Sequence, residues 1–301
     1  MNQKRSFSKK GDFMSSITIY EVGPRDGLQT IKHTVSTQHK LELIESLQKA
    51  GLQNIEVTSF AHPKRIPQMA DAEDVFQGQG SVLVMNQKGM DRALSVGATH
   101  FNVVYSPSEE FNERNLGCNT NTAIARYVKM LDGVPKENVR VYLSCFFGCP
   151  YEGEISRPQL TRAIATAKLL GSTVVLCDTV GVASQTDIRN AAMMCHQHGV
   201  KAALHLHHRE NRVSHALSLV RVAIENGITE FDSSIGGLGG CPFMIGSCGN
   251  LPTESLVVWC NAHEIDCGLV WNDLIEPMRL ARYIREGFFV EPLSMSHALP
   301  V

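Results

Sequence analysis

The order of segments along this 301-residue chain predicts a (β/α)8 TIM barrel with an added C-terminal helical segment. Three observations carry the prediction. Short β-rich segments recur eight times at roughly 30-residue spacing, each is followed by a helix candidate, and glycines stand between several helices and the next strand. Strands that alternate with helices pair in parallel through right-handed crossovers. Eight such units in about 250 residues is the size of one closed barrel. A doubly wound sheet is the competing fold. It requires a glycine-rich dinucleotide turn after an early strand, and EVGPRDG at 21–27 lacks that spacing.

The strand candidates run in order through 17–22 (ITIYEV), 54–60 (NIEVTSF), 81–86 (SVLVMN), 99–105 (THFNVVY), 138–145 (NVRVYLSC), 172–178 (STVVLCD), 201–207 (KAALHLH) and 228–234 (ITEFDSS). Between the first two, 37–50 is amphipathic, with Leu41, Leu43, Ile44 and Leu47 at helical spacing. Gly51, Gly97, Gly171, Gly199 and Gly227 read as helix-ending glycines. Residues 271–290 read as a terminal helical segment outside the barrel, within an extension that begins near 266. No Pro/Gly/Ser-rich linker divides the chain, so 16–301 is expected to be a single domain behind a flexible basic tail, 1–15.

Composition narrows the class. A net charge of −2 gives no electrostatic reason to expect nucleic acid or a membrane surface as partner. No apolar run approaches the roughly 20 residues of a membrane helix, and no apolar stretch follows the tail's charges as a secretory signal requires. Nine cysteines, an odd number in a chain too long to need disulfide staples, point to a reducing, cytoplasmic setting.

In a barrel, chemistry gathers at the C-terminal ends of the strands. Arg25 and Asp26 follow the first strand candidate, and Glu56 lies in the second. Asn86, Ser144, Asp178, the His205/His207 pair and Asp232 stand at the ends of five others. His205 and His207 are two apart, so both imidazoles point to the same side of their strand while Leu206 points to the other. With Asp26 as an oxygen donor they make a divalent-metal site, and spacing alone fits Mg2+, Mn2+ or Zn2+ equally. His208 is expected to face away. The segment 236–250 (GGLGGCPFMIGSCGN) holds six glycines in fifteen residues and reads as a lid over the mouth, with Cys241 either chemical or incidental to a phosphate-cradling loop. Cys145 and Cys149 (CFFGC) have the types to hold a metal but lack a second pair and read as packing or loop structure, and the remaining cysteines read as small buried hydrophobes.

Five segments together resemble the 3-hydroxy-3-methylglutaryl-CoA lyase family: EVGPRDGLQ (21–29), EVTSF (56–60), SCFFGCPYEG (144–153), DTVGVA (178–183) and SSIGGLGGCPF (233–243). The likeness runs from about 17 to 285. Condensing synthases of the same barrel superfamily share the Arg-Asp turn and the histidine pair, but typically carry Gly-Glu-Arg where this chain has Gly240-Cys241-Pro242. The resemblance implies cleavage of 3-hydroxy-3-methylglutaryl-CoA, or of a related 3-alkyl homologue, to acetyl-CoA and a 3-oxo acid. It implies Asp26, His205, His207 and Asn250 as ligands of Mg2+ or Mn2+. It implies catalytic roles for Arg25, Glu56, Asp178, His205 and the thiol of Cys241, with His205, Asp26 or a water as base. Lys32, Ser108 and Asn112 are expected to contact the acyl-CoA, and a homodimer or higher homo-oligomer is expected. Three departures stand out: His208-Arg209-Glu210-Asn211 where the lyases usually have Asp-Thr-Tyr-Gly, Gln29-Thr30-Ile31 before Lys32, and Glu113-Arg114 where lysines are common.

Overall fold

Val, Ile and Leu alternate with polar residues along the strand segments, a pattern that gives each strand one face for a helical layer and one for a barrel interior. A computed structural model describes residues 16–209, 212–240 and 248–287. Its parallel strands are β1 (Thr18–Glu21), β2 (Asn54–Ser59), β3 (Ser81–Leu83), β4 (Phe101–Tyr105), β5 (Val139–Leu143), β6 (Thr173–Asp178), β7 (Lys201–Arg209) and β8 (Glu230–Ser233). Each pairs with its neighbours in chain order, and β8 pairs with β1, so the sheet closes. This is the (β/α)8 barrel that the alternation predicts.

Helices surround it: α1 (Thr37–Lys49), α2 (Ala72–Val75), α3 (Gln87–Ser95), α4 (Glu109–Leu116), α5 (Thr120–Met130), α6 (Arg157–Leu170), α7 (Gln185–Gln197), α8 (Val213–Glu225), α9 (Thr253–Ala262) and α10 (Ile275–Glu286). Local chemistry starts them. The side chains of Ser36, Asn86, Ser108 and Asn119 each accept the backbone N–H three residues on. Four of the five helix-ending glycines, Gly51, Gly97, Gly199 and Gly227, have the positive φ of that role. Gly171 differs: its backbone is extended, and a Cβ there would lie 2.5 Å from the carbonyl oxygen of Val139. It is glycine because α6 enters β6 against the edge of β5. The C-terminal extension holds α10, which packs on α1 outside the barrel. Among the described residues no helix is long and apolar enough to cross a membrane.

Alternation divides the strands cleanly. Ile19, Val57, Val82, Val103, Val141, Leu176, Leu204 and Phe231 belong to the main core beneath the helices. The opposite face holds Tyr20, Glu56, Ser81, Asn102, Arg140, Tyr142, His205 and Asp232, all buried. The barrel interior is therefore polar and charged, where such interiors are usually filled by branched apolar side chains. A small apolar cluster of Tyr142, Val175, Cys177 and Ala203 is its exception.

One further strand was not anticipated. β9 (Cys248–Asn250) runs antiparallel to the end of β7, with Asn250 opposite His207 and Gly249 opposite His208. His208 indeed turns away from the mouth, and a Cβ at Gly249 would lie 2.7 Å from its Nε2, so the close approach of β9 requires glycine.

Candidate functional site

The first turn does most of the placing. The backbone N–H groups of Arg25, Asp26 and Gly27 all donate to the carbonyl of Val22, which winds 23–27 into one π-helical turn directly above β1. Arg25 and Asp26 thereby point into the mouth. Arg25 is fixed on both sides: Nε donates to Glu56 Oε2 at 2.5 Å and Nη1 to Asp26 Oδ1 at 2.7 Å. Glu56 is held in turn by Asn102 Nδ2 at 2.8 Å. Burial alone would raise the Asp26 carboxyl, but Arg25, His205 and the Asn250 amide overcome it and hold the group below the usual carboxylate range.

His205 and His207 lie side by side, with Nε2 atoms 3.1 Å apart. Their other nitrogens are committed. His205 Nδ1 is 3.1 Å from Asp232 Oδ2, and His207 Nδ1 is 2.9 Å from the carbonyl oxygen of Thr179. A carboxylate and a carbonyl can only accept, so both Nδ1 atoms carry protons and both Nε2 lone pairs face the same point. Burial, then the neighbouring His205, pushes His207 down to about 4. Burial opposes the charge on His205 as well, yet the Asp232 hydrogen bond and the two carboxylates hold it above the ordinary histidine range.

Asp26, His205 and His207 each offer a ligand atom within 4.8 Å of the others. Asn250 completes the group: its Nδ2 donates to Asp26 Oδ2 at 2.8 Å and to the carbonyl of Leu238 at 3.0 Å. Its Oδ1 is buried without a partner among the described residues. Two convergent imidazole lone pairs, a carboxylate and an unpartnered amide oxygen are a donor set that fits a divalent cation. The carboxylate behind His205 is the kind of support that ligating histidines usually have.

Arg25, Asp26, His205 and His207 line the floor of a cavity of about 900 Å3. Lys32, Arg65, Arg114, Arg126 and His62 line its outer part, a basic rim around an otherwise mixed wall. Arg114 is tied to Glu110 at 2.6 Å and stacks over the Tyr151 ring.

The structure does not bring every expected residue here. Asp178 ends β6 on the face opposite Cys177; Cys177 lines the cavity, while the Asp178 carboxylate accepts from Val182 N at 2.9 Å and Ala183 N at 3.1 Å. It braces its own turn, and burial pushes it up to about 6. Glu56 reaches the site only through Arg25. Ser108 caps α4, and Asn112 clamps Ser106 and Thr120. Neither lines the cavity, because polar groups at a helix start are consumed by the backbone there. Cys241 lies outside the described residues; Gly240, just before it, lines the mouth. Tyr142, Arg65, Arg126 and His62 were missed. Tyr142 alone left a signal, sharing the inward parity of Arg140 on β5.

Comparison with known proteins agrees with this geometry. The HMGL-like family model matches residues 16–280. The chain is 37% identical over 285 residues to the mitochondrial hydroxymethylglutaryl-CoA lyase of Mus musculus, covering 90% of this chain and 86% of that one. It is 35% identical over 272 residues to the 3-hydroxy-3-isohexenylglutaryl-CoA/hydroxy-methylglutaryl-CoA lyase of Pseudomonas aeruginosa, covering 86% and 90%. Among solved structures, the HMG-CoA lyase of Brucella melitensis superposes with a TM-score of 0.83 at 32% identity, covering 90% of this chain and 99% of that one. An HMG-CoA lyase of Acinetobacter baumannii, in complex with coenzyme A and 3-methylmalate, superposes at 0.82 with 29% identity, covering 95% and 98%.

Proposed function

The chain belongs to the HMGL-like family, and from that premise we propose that it is a lyase cleaving 3-hydroxy-3-methylglutaryl-CoA to acetyl-CoA and acetoacetate. One observation carries the reading: Asp26, His205 and His207 converge within 4.8 Å beside the clamped guanidinium of Arg25.

Asp26, His205, His207 and the Oδ1 of Asn250 would hold the divalent cation, assigned here as Mg2+ or Mn2+. When bound, such a cation would act as a Lewis acid and lower the pKa of a hydroxyl beside it. Arg25 cannot swing away from its two carboxylate partners, so its remaining N–H groups stay aimed at one place. They stabilise the charge that the thioester carbonyl gains as it becomes an enolate, where preorganised electrostatics contribute most. The hydroxyl proton passes to His205, backed by Asp232, only if its Nε2 is free of the cation, and otherwise to Asp26 or a water; the C2–C3 bond breaks and its electron pair passes to the enolate. Cys241 then returns one proton to C2, so the proton account balances. The thiol role is supported by the SSIGGLGGCPF segment and by Gly240 at the mouth. Lys32, with Arg65, Arg114 and Arg126, gives the CoA phosphates a basic rim.

The same reading takes 16–301 as one domain acting as a homodimer or higher homo-oligomer. It places the chain in a reducing, cytoplasmic setting, supported by seven free cysteines among the described residues. The relative that also carries the isohexenyl substrate in its name makes a longer 3-alkyl group the second substrate to try.

The test is direct. The purified chain with Mg2+ or Mn2+ and a thiol reductant should release acetoacetate and acetyl-CoA in equal amounts from 3-hydroxy-3-methylglutaryl-CoA. Failure to cleave this thioester and its longer 3-alkyl homologues would overturn the lyase reading. Cys241→Ala should lose most of its turnover; full activity would remove the thiol from the mechanism.

A further inference from the structure

Tyr142 stands among the catalytic candidates with nothing to do. It is 4% exposed and lines the cavity floor with Arg25 and His205, yet its hydroxyl has no hydrogen-bond partner among the described residues. Three polar neighbours are held elsewhere, Arg25 by Glu56 and Asp26, His205 by Asp232, and Tyr20 by Ser81 at 2.5 Å. The Arg140 guanidinium, two residues back on β5, lies 5.8 Å from the Tyr142 ring, and its Nε is also unpartnered among the described residues. A buried hydroxyl without a partner carries a desolvation cost, and phenylalanine would fill the same space without it. The ring is fixed as well. It stands edge-on to the His205 imidazole, with centroids 6.3 Å apart, and packs against Val175, Cys177 and Ala203. The ring is therefore held in one place on the cavity wall, with its hydroxyl within electrostatic reach of both Arg25 and Arg140.

We propose that Tyr142 is a second catalytic donor, whose hydroxyl hydrogen-bonds the thioester carbonyl oxygen of the substrate as that oxygen gains charge alongside Arg25. This assignment rests on the lyase reading above. A phenol keeps its proton at neutral pH, so this hydroxyl has a hydrogen to donate to a developing oxyanion. The substrate's free carboxylate is charged before the reaction begins and is matched by cationic partners. The carbonyl begins neutral and becomes negative, so a neutral donor fixed beside it binds the transition state more tightly than the ground state. No covalent step is added. The phenol keeps its proton throughout, and the proton that reaches C2 still comes from elsewhere.

Tyr142→Phe separates the possibilities. With 3-hydroxy-3-methylglutaryl-CoA, kcat should fall about 100-fold, the scale of losing one oxyanion donor, while KM stays within about threefold. Thermal stability should not fall, since an unpartnered hydroxyl is removed. Mn2+ affinity, read by electron paramagnetic resonance, should be unchanged. Placing 3-fluorotyrosine at position 142 keeps the hydroxyl and should restore turnover. Full kcat in Tyr142→Phe would overturn the proposal, as would a raised KM at normal kcat, which would assign the hydroxyl to ground-state binding of the carboxylate. Failure of the fluorinated residue to restore turnover would overturn it too. If the unmodified chain does not cleave the thioester at all, the lyase reading has failed instead, and the two failures are not confused.

Discussion

The barrel interior holds two layers of buried charge that differ in how completely they close on themselves. In the lower layer Arg140 pairs with Glu230 and with Asp232 at 2.8 Å, lies 3.7 Å above the Tyr20 ring, and Lys201 reaches Glu230 at 2.7 Å. Positive and negative groups there are paired with one another, although the Arg140 Nε has no partner among the described residues. In the upper layer Arg25, Asp26, His205, His207 and Asn250 are just as buried, yet lone pairs converge on one point and the Asn250 Oδ1 and Tyr142 hydroxyl are left over. The residue types are similar. Charge pairing marks the lower layer as support, and ligand atoms that converge at the cavity mark the upper layer as a site. Asp232 belongs to both, since it binds Arg140 below and His205 above.

That contrast can be broken at four places. The largest effect is expected at Asp26→Asn, which removes a charge from the donor cluster: turnover should fall about 1000-fold and Mn2+ binding should be lost in a direct titration. Arg140→Leu should act on the other layer, unfolding about 3 kcal/mol more easily in urea because Asp232 and Glu230 are left buried without it. If the urea midpoint does not move, the lower layer is not support.

Glu21 tests the frame that carries both. Its carboxylate accepts from Gly23 N and Ile235 N and from the Thr253 hydroxyl, tying the Arg25–Asp26 turn to the root of the glycine-rich loop. Burial pushes it up to about 7. A carboxyl raised by folding is best tolerated protonated, so its contribution is intact below pH 4.5 and is lost as pH rises through 7. Glu21→Gln should therefore gain about 2 kcal/mol over the unmodified chain between pH 5 and pH 8, read from denaturant unfolding at both. Equal pH slopes in the two proteins would contradict this. The smallest effect belongs to the shared residue. Asp232→Asn should weaken Mn2+ binding about tenfold, because His205 keeps an acceptor for its Nδ1 but loses the negative charge behind it.

The legible parts of the site share one property: their positions follow from spacing within a single strand or turn. The HxH pair works because i and i+2 share a face, and the Arg-Asp turn because both residues follow one strand directly. Applied to β6, the same parity puts Asp178 on the side of Leu176, away from Cys177 and the cavity; the end of a strand is a poorer guide than its alternation. Ser108 and Asn112 were illegible for another reason. A serine or asparagine at a helix start looks the same whether it meets a ligand or caps the backbone, and here the caps account for both. Arg65 and Arg126 come from separate segments and share the mouth only after the barrel has closed.

By itself the chain determined the alternation of eight strands with helices, the faces they bury, and the two imidazoles that must point together. Those are local consequences of side-chain period and glycine placement. Tertiary structure alone decided which polar groups are left over. Asn250 meets His207 because β9 folds back on β7, and Asp232 lies beneath His205 because β8 pairs with β7. Tyr142 lacks a partner although Arg140 stands two residues back on the same strand, because Glu230 and Asp232 of β8 draw that guanidinium to themselves. Whether a buried donor is satisfied depends on neighbours distant in sequence, and no spacing along one segment records that.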